Sequence, residues 1–267
     1  MKVEYDVVKL ARSQLLVVTS PMEPALRAQA ADWLRRREVD ITSVSFLEWE
    51  NDEPRLFTAD GTFSPEAVMA ACACLARMED VPLGADWQFA LPVSGLGDPL
   101  PCAVTPVRTA CLVTLPLPLP EQMGEKSFPL TDGTIALPVV SLPGLSCLIA
   151  PAGAVARTSA AEALRFWSTL LPGSAAALLL WNEGAGILDA LICDKASGQC
   201  RWVDSCAAGV GAMGAWLTAQ RRKNQCLTLK QNGGPMAVTT RWQEKLEGLN
   251  VSGSVEWLRC RSVNLVF

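Results

Sequence analysis

Two stretches of this sequence cannot stand at a protein surface. Pro65-Glu-Ala-Val-Met-Ala-Ala-Cys-Ala and Ala207-Ala-Gly-Val-Gly-Ala-Met-Gly-Ala are both apolar nearly all round and rich in small residues. A helix of that kind is buried and closely surrounded, here by strands, because no face of it suits water. Each is approached by a turn ending in a serine or a cysteine: Asp60-Gly-Thr-Phe-Ser64 before the first, Trp202-Val-Asp-Ser-Cys206 before the second. With Ser64 laid on Cys206, Val68 meets Val210, Ala70 meets Ala212 and Ala73 meets Ala215. The chain reads as a weak internal duplication.

The remaining elements fit two halves. In the first, Val3–Leu10 and Leu15–Thr19 read as a strand hairpin. A helix runs from about Glu23 to Arg37, strands follow at 42–50 and 55–59, the small-residue helix spans 65–77, and strands fit 87–92 and 103–115. The Pro-rich stretch from Leu115 to Pro120 and the polar residues to Lys126 form the linker-like segment. After it, strands fit 134–140 and 146–150. Ser159 and Glu162 have capping-box spacing ahead of a helix to Leu171. Strands at 176–181, 190–193 and 199–203 lead to the second small-residue helix, 207–220, and then to 227–231, 237–241 and a terminal run from Ser252. The expected division is 1–118, a linker at 119–126, and 127–267, with the last strand a candidate to return to the first half.

Absences narrow the chemistry. The 267 residues include no histidine, which removes Ser-His-Asp and Cys-His catalysis and His-ligated metals. No Cys-x2-Cys pair occurs, and no metal or cofactor is expected. Gly209-Val210-Gly211 with Gly214 matches a dinucleotide fingerprint in spacing, but it lies inside a helical pattern. Those glycines are read as close-packing positions. A net charge of −4 leaves no basic field for nucleic acid, and the basic runs Arg35–Arg37 and Arg221–Lys223 sit at predicted helix ends. The longest apolar run, Ala67 to Ala76, is too short to span a bilayer. The Lys2, Glu4, Asp6 alternation is a strand pattern and not a signal peptide, so the expectation is a cytoplasmic protein whose ten cysteines are free thiols used mostly as small hydrophobes.

Asp204-Ser-Cys-Ala-Ala-Gly-Val-Gly-Ala resembles the Ala-Cys-Gly-Thr-Gly-Ala signature of the diaminopimelate epimerase superfamily, which includes cofactor-independent racemases and phenazine-biosynthesis-type isomerases. Cys206 falls on its catalytic cysteine and Gly209 on its second glycine. Leu56-Phe-Thr-Ala-Asp-Gly resembles the Phe-Asn-Ala-Asp-Gly before the first catalytic turn, and Leu227-Thr-Leu-Lys-Gln-Asn-Gly-Gly-Pro resembles the strand and Pro-Gly-Gly turn after the second. The likeness lies in order and spacing over nearly the whole chain. It implies an α+β fold of two pseudo-symmetric domains, each a curled, mostly antiparallel sheet wrapped around a central helix, with the active site in the cleft between them. In that family two cysteines at the facing helix starts work as an acid/base pair on a substrate α-carbon, without pyridoxal phosphate or metal. A helix start suits that work, because it lowers a thiol pKa and cradles a carboxylate.

Carried over residue by residue, the resemblance makes Cys206, Ser64 and Glu66 the candidate catalytic groups. Pro65, Ala207, Ala208, Gly209, Ser13 and Gln14 become the candidate substrate-binding residues. The departures are specific. Ser64 stands where the first cysteine is expected, or Ala67 if no gap is allowed. Arg12-Ser-Gln-Leu replaces Gly-Asn-Asp-Phe, Pro143-Gly-Leu-Ser replaces Gly-Asn-Pro-His, and the Glu-Arg pair falls on Ser197-Gly198. The functional expectation is a cofactor-independent isomerase, racemase or epimerase moving a proton at a carbon acid. Its ligand is a small molecule, with no nucleic acid or membrane partner, and a homodimer is a candidate state. The alternative is a catalytically silent relative that binds a small molecule or a protein. Ser64 before Pro65 is also explained as a helix cap, and Glu66 as a dipole-complementing acid.

Overall fold

A computed structural model describes residues 1–130 and 133–265. The chain is α+β and mostly strand, and it separates into two compact units. The first is Met1–Pro116 together with the chain from Ser252 on; the second is Leu117–Val251.

The first unit begins with an antiparallel hairpin, β1 (Lys2–Leu10) and β2 (Ser13–Val18), turned through Ala11 at φ 59°. Helix α1 (Pro24–Arg37) crosses over so that β3 (Ile41–Glu50) lies parallel to β2, and β4 (Glu53–Thr58) returns antiparallel. Then come α2 (Pro65–Met78) and the meander β5 (Trp87–Leu91), β6 (Leu100–Val107) and β7 (Ala110–Pro116). The last strand of the chain, β16 (Leu246–Asn264), pairs with both β1 and β7 and so joins the two groups of strands. At the far edges Leu56 bonds to Pro92 and Ser94, which curls the sheet back toward itself. Inside the curl lies α2, touching β1 to β4, β6 and β7. From Ala67 to Ala76 every residue of α2 is buried. The small side chains at Ala67, Ala70, Ala71 and Ala73 let strands approach on every side, as the composition of this helix requires.

The second unit repeats that order. Strand β8 (Gln122–Leu130) pairs with β9 (Gly133–Leu142), which forms a hairpin with β10 (Leu145–Pro151). Helix α3 (Arg157–Ser168) crosses over to β11 (Ala175–Asn182), parallel to β10, and β12 (Ile187–Asp194) returns antiparallel. The short β13 (Cys200–Val203) leads into α4 (Ala207–Arg221), followed by the hairpin of β14 (Cys226–Gln231) and β15 (Gly234–Trp242) and by the first residues of β16. Hairpin, crossover helix, parallel strand, hairpin and buried helix thus occur in the same sequence in both units. Helix α3 covers one face of the sheet, with Leu164 and Trp167 wholly buried against Phe128, Leu148 and Leu178. Helix α4 packs on β9, β10 and β15. A Cβ at Gly209 would come within 2.8 Å of Leu179, one at Gly211 within 2.3 Å of Leu117, and one at Gly214 within 2.5 Å of Val238. The glycines are packing positions, as expected from a fingerprint lying within a helix.

Three expectations are corrected. Residues 103–115 form two strands, β6 and β7, turned at Arg108 and Thr109. The segment expected as a linker to Lys126 runs into β8, an edge strand with Phe128 as its single buried residue. Its exposed, polar face lacks the alternation that marks a half-buried strand. The Ser159/Glu162 capping box does not form: the N-cap of α3 is Ala156, three residues earlier, and Ser159 Oγ donates to the Ala156 carbonyl at 3.2 Å instead.

Candidate active site

In the first unit the chain reaches α2 through a built turn. Gly61 has φ +74°, and Asp60 accepts hydrogen bonds from the Thr62 N–H at 3.1 Å and the Thr62 hydroxyl at 2.9 Å. Burial pushes the Asp60 carboxyl up, but these bonds outweigh it and hold the group below the usual carboxylate range. Ser64 is the N-cap of α2: its Oγ accepts from the Ala67 N–H at 3.3 Å and donates to Glu66 Oε2 at 3.5 Å. Pro65 follows at the first helical position and is buried. Ser64 and Glu66 are half-buried, so two oxygen-bearing side chains meet at this helix start.

The direction of α2 places Ser13 and Gln14 relative to it. A Cβ at Gly253 would meet both Leu10 Cδ1 and Met69 Sδ at 3.1 Å, so the second turn of α2 lies beside Leu10. Arg77, at the other end, pairs with the buried Asp6 at 2.8 Å. The helix therefore starts near the Leu10–Ser13 end of the β1–β2 hairpin, which is where Ser13 and Gln14 lie. Gln14 Oε1 is buried with no hydrogen-bond partner among the described residues.

In the second unit Cys206 is the N-cap of α4 and is 2% exposed. Its Sγ accepts from the Gly209 N–H at 3.2 Å, and its own N–H donates to Gln231 Oε1 at 2.6 Å. The turn after β14 holds the approach to this helix. Gly233 N–H donates to the Asp204 carbonyl at 2.7 Å, and the Asn232 amide donates to the Asp204 carboxylate. Ala207 and Gly209 are buried, whereas Ala208 is half-buried. Two groups here were not singled out from the sequence. Burial pushes the Cys147 thiol well up, and the neighbouring Cys206 pushes it the same way. Gln231 is 7% exposed, with its Nε2 left unpartnered among the described residues. The only sequence signal for Gln231 was its place just before the Asn-Gly-Gly turn; for Cys147 there was none.

An open groove of about 480 Å³, lined by Pro138, Ile149, Pro151, Trp181 and Glu183, lies in the same unit. Glu183 faces Arg221 at 3.8 Å, which puts the groove by the last turn of α4, away from Cys206. Among the described residues no helix is long and apolar enough to cross a membrane.

The residues flanking α2 and α4 agree in order with the epimerase pattern, and comparison with known families decides the matter. The family described as histidine racemase CntK N-terminal domain matches residues 13–258. The chain belongs to this family. Solved structures of similar fold include a phenazine biosynthesis protein of the PhzF family from Bacillus anthracis, with a TM-score of 0.69 and 12% identity over 99% of this chain and 100% of that one. A hydroxyproline epimerase from Agrobacterium vitis has a TM-score of 0.67 and 12% identity over 98% of this chain and 92% of that one. A methylitaconate-delta-isomerase has a TM-score of 0.61 and 9% identity over 98% and 95%. No curated protein matches the sequence. The histidine-racemase family and these PhzF-family and hydroxyproline-epimerase structures belong to one isomerase superfamily, so the resemblance to the epimerase superfamily is borne out.

Proposed function

We propose that this member of the histidine-racemase family is a cofactor-independent isomerase of the racemase or epimerase type. It moves a proton at the α-carbon of an amino acid or related small acid. The observation that carries this reading is the placement of Cys206. It caps α4 with an N–H directed at its sulfur and a second hydrogen bond fixing its backbone. The Gly209 N–H at its sulfur and the helix start around it hold the thiol where a substrate carboxylate can also be bound. Ser64 and Glu66, at the start of the corresponding helix α2, supply the partner group. Serine alone is a weak base, and its contact with the Glu66 carboxylate gives the proton somewhere to go. Gln14, with an unused acceptor at the same end of the first unit, is suited to a substrate ammonium.

The second reading, a catalytically silent binder, is favoured by one observation: Ser64 has a full structural job as the cap of α2, where the family pattern has a cysteine. Solvent deuterium wash-in separates the two. The protein is incubated in D₂O with pooled L- and D-amino acids (histidine included), hydroxy acids and unsaturated acids, beside Cys206→Ala. A one-deuteron gain that vanishes in the variant supports the isomerase. No gain in any pool, with a ligand nonetheless protecting the folded protein against heat, turns the assignment to the binder.

A further inference from the structure

The amide of Gln231 is spent on one side only. It ends β14, opposite Gly234 in the hairpin register, and that turn is tied to Asp204 through Gly233 and Asn232. Its place beside the start of α4 is therefore set by backbone and not by a loose side chain. The Cys206 N–H needs an acceptor, so the carboxamide oxygen faces it at 2.6 Å, and the nitrogen points elsewhere. That nitrogen is buried and makes no hydrogen bond among the described residues. A buried donor without a partner costs free energy, and such a group in a folded protein calls for a ligand or a water. The Cys206 N–H itself is occupied, so the carboxamide leaves one donor, its own Nε2, unused beside the helix start.

Resting on the reading of Cys206 as part of the active site, we propose that Gln231 is a substrate-binding residue whose Nε2 donates to a carboxylate oxygen of a small organic acid. Nε2 supplements the partial positive charge of the α4 start. A neutral amide is suited to this place. It binds the anion without placing a second charge beside the thiol.

The test uses two reagents that differ in the group to be recognised. Iodoacetate carries a carboxylate, and iodoacetamide is its neutral counterpart. Site-resolved mass spectrometry on the native protein gives the iodoacetate-to-iodoacetamide rate ratio at Cys206, with the exposed Cys226 as internal reference. The expected ratio at Cys206 is about tenfold above that at Cys226, the size of one charge-assisted hydrogen bond. It falls several-fold toward the Cys226 value in Gln231→Met, which has neither oxygen nor nitrogen, the helix start keeping the remainder. It falls further in Gln231→Glu, which keeps an oxygen for the Cys206 N–H but offers no donor. A Cys206 ratio equal to that of Cys226 in the wild type, or unchanged in both variants, overturns the assignment while iodoacetamide reactivity at Cys206 leaves the site itself standing. A Cys206 that reacts with neither reagent until the protein is unfolded overturns the site and this inference together.

Discussion

Replacing Gly214 by alanine sets two effects of similar size against each other, and the structure says which wins. In the interior of α4, alanine is favoured over glycine by about 1 kcal/mol, because it restricts the unfolded chain. By propensity alone the variant is more stable. The added methyl, however, would lie 2.5 Å from one Val238 methyl, 2.9 Å from the other and 3.3 Å from its Cβ. Carbon atoms rest at about 3.5–4.0 Å, so the overlap is about 1 Å. Val238 cannot rotate away, since both branches are in contact and a β-branched side chain has few alternatives. It is also held in β15 opposite Leu227. Overpacking of this kind costs about 1–3 kcal/mol, and with both methyls blocked the upper part of the range applies. The net expectation is a loss of about 1–2 kcal/mol, or about 2–8 °C in melting temperature for a chain of this size. Gly211→Ala is the control: its nearest obstacle, Leu117 Cδ1 at 2.3 Å, is the end of a flexible side chain and its other neighbours stand at 3.6 Å or more. That variant stays within about 1 kcal/mol of the wild type. Thermal melts followed by circular dichroism read both. A Gly214→Ala protein that melts above the wild type, or one equally destabilised when Val238 is alanine, refutes the close approach of α4 to β15.

Gly211→Leu, which cannot be accommodated by moving Leu117 alone, is expected to cost more than about 2 kcal/mol, and an unchanged melt refutes the buried-helix packing. The chain has a single tyrosine, so alkaline tyrosinate absorbance titrates Tyr5 alone. Burial and then the 2.6 Å bond to Glu38 push Tyr5 up to about 12, so the stability it lends holds below pH 10.0 and is lost as pH rises through about 12; a midpoint near 10.0 refutes this. Burial pushes Glu38 up, but bonds from Tyr5, Arg261 and Arg259 outweigh it and hold the carboxyl below its ordinary 4.5. Its contribution is therefore present above that pH and lost as pH falls through the folded-state value, and Tyr5→Phe is expected to move acid unfolding to higher pH. Ser64→Ala is expected to cost about 1 kcal/mol as a lost helix cap, and Ser64→Gly only a few tenths. Deuterium wash-in abolished equally in both identifies Ser64 with proton transfer, and activity that follows stability identifies it with capping alone.

What the sequence disclosed follows from where its signals are strongest. Helices α2 and α4 were legible because a run of Ala, Gly and Cys without a polar stripe has one physical solution, burial on all sides. Their starts were legible because Ser64 before Pro65 and Cys206 before Ala207 stand at the switch from a turn to that run, though only Ser64 reads as a cap from sequence. Strand β8 was hidden by its polar, exposed face, and the turn between β6 and β7 by Arg108 and Thr109, which carry no glycine or proline. The false capping box shows that spacing alone does not fix a helix start: α3 begins before Ser159 and uses its hydroxyl inside the first turn. Gln231 and Cys147 were beyond reach for a different reason. They approach Cys206 from strands distant in sequence, through pairings that only the assembled sheet provides.

Strand β16 sets a constraint on how the protein is made. From Ser252 on it follows the whole second unit in sequence, yet it partners β1 and β7 of the first. While the ribosome is still adding the second unit, the first has all its other strands and its buried helix but lacks the strand that joins its two groups. Until then β1 and β7 carry open edges ready to pair with another chain. The usual benefit of vectorial synthesis, an N-terminal half finished before the rest emerges, is denied to this topology. A nascent or truncated chain ending before Ser252 therefore leaves the first unit open, and closing it waits until the whole second unit has been made.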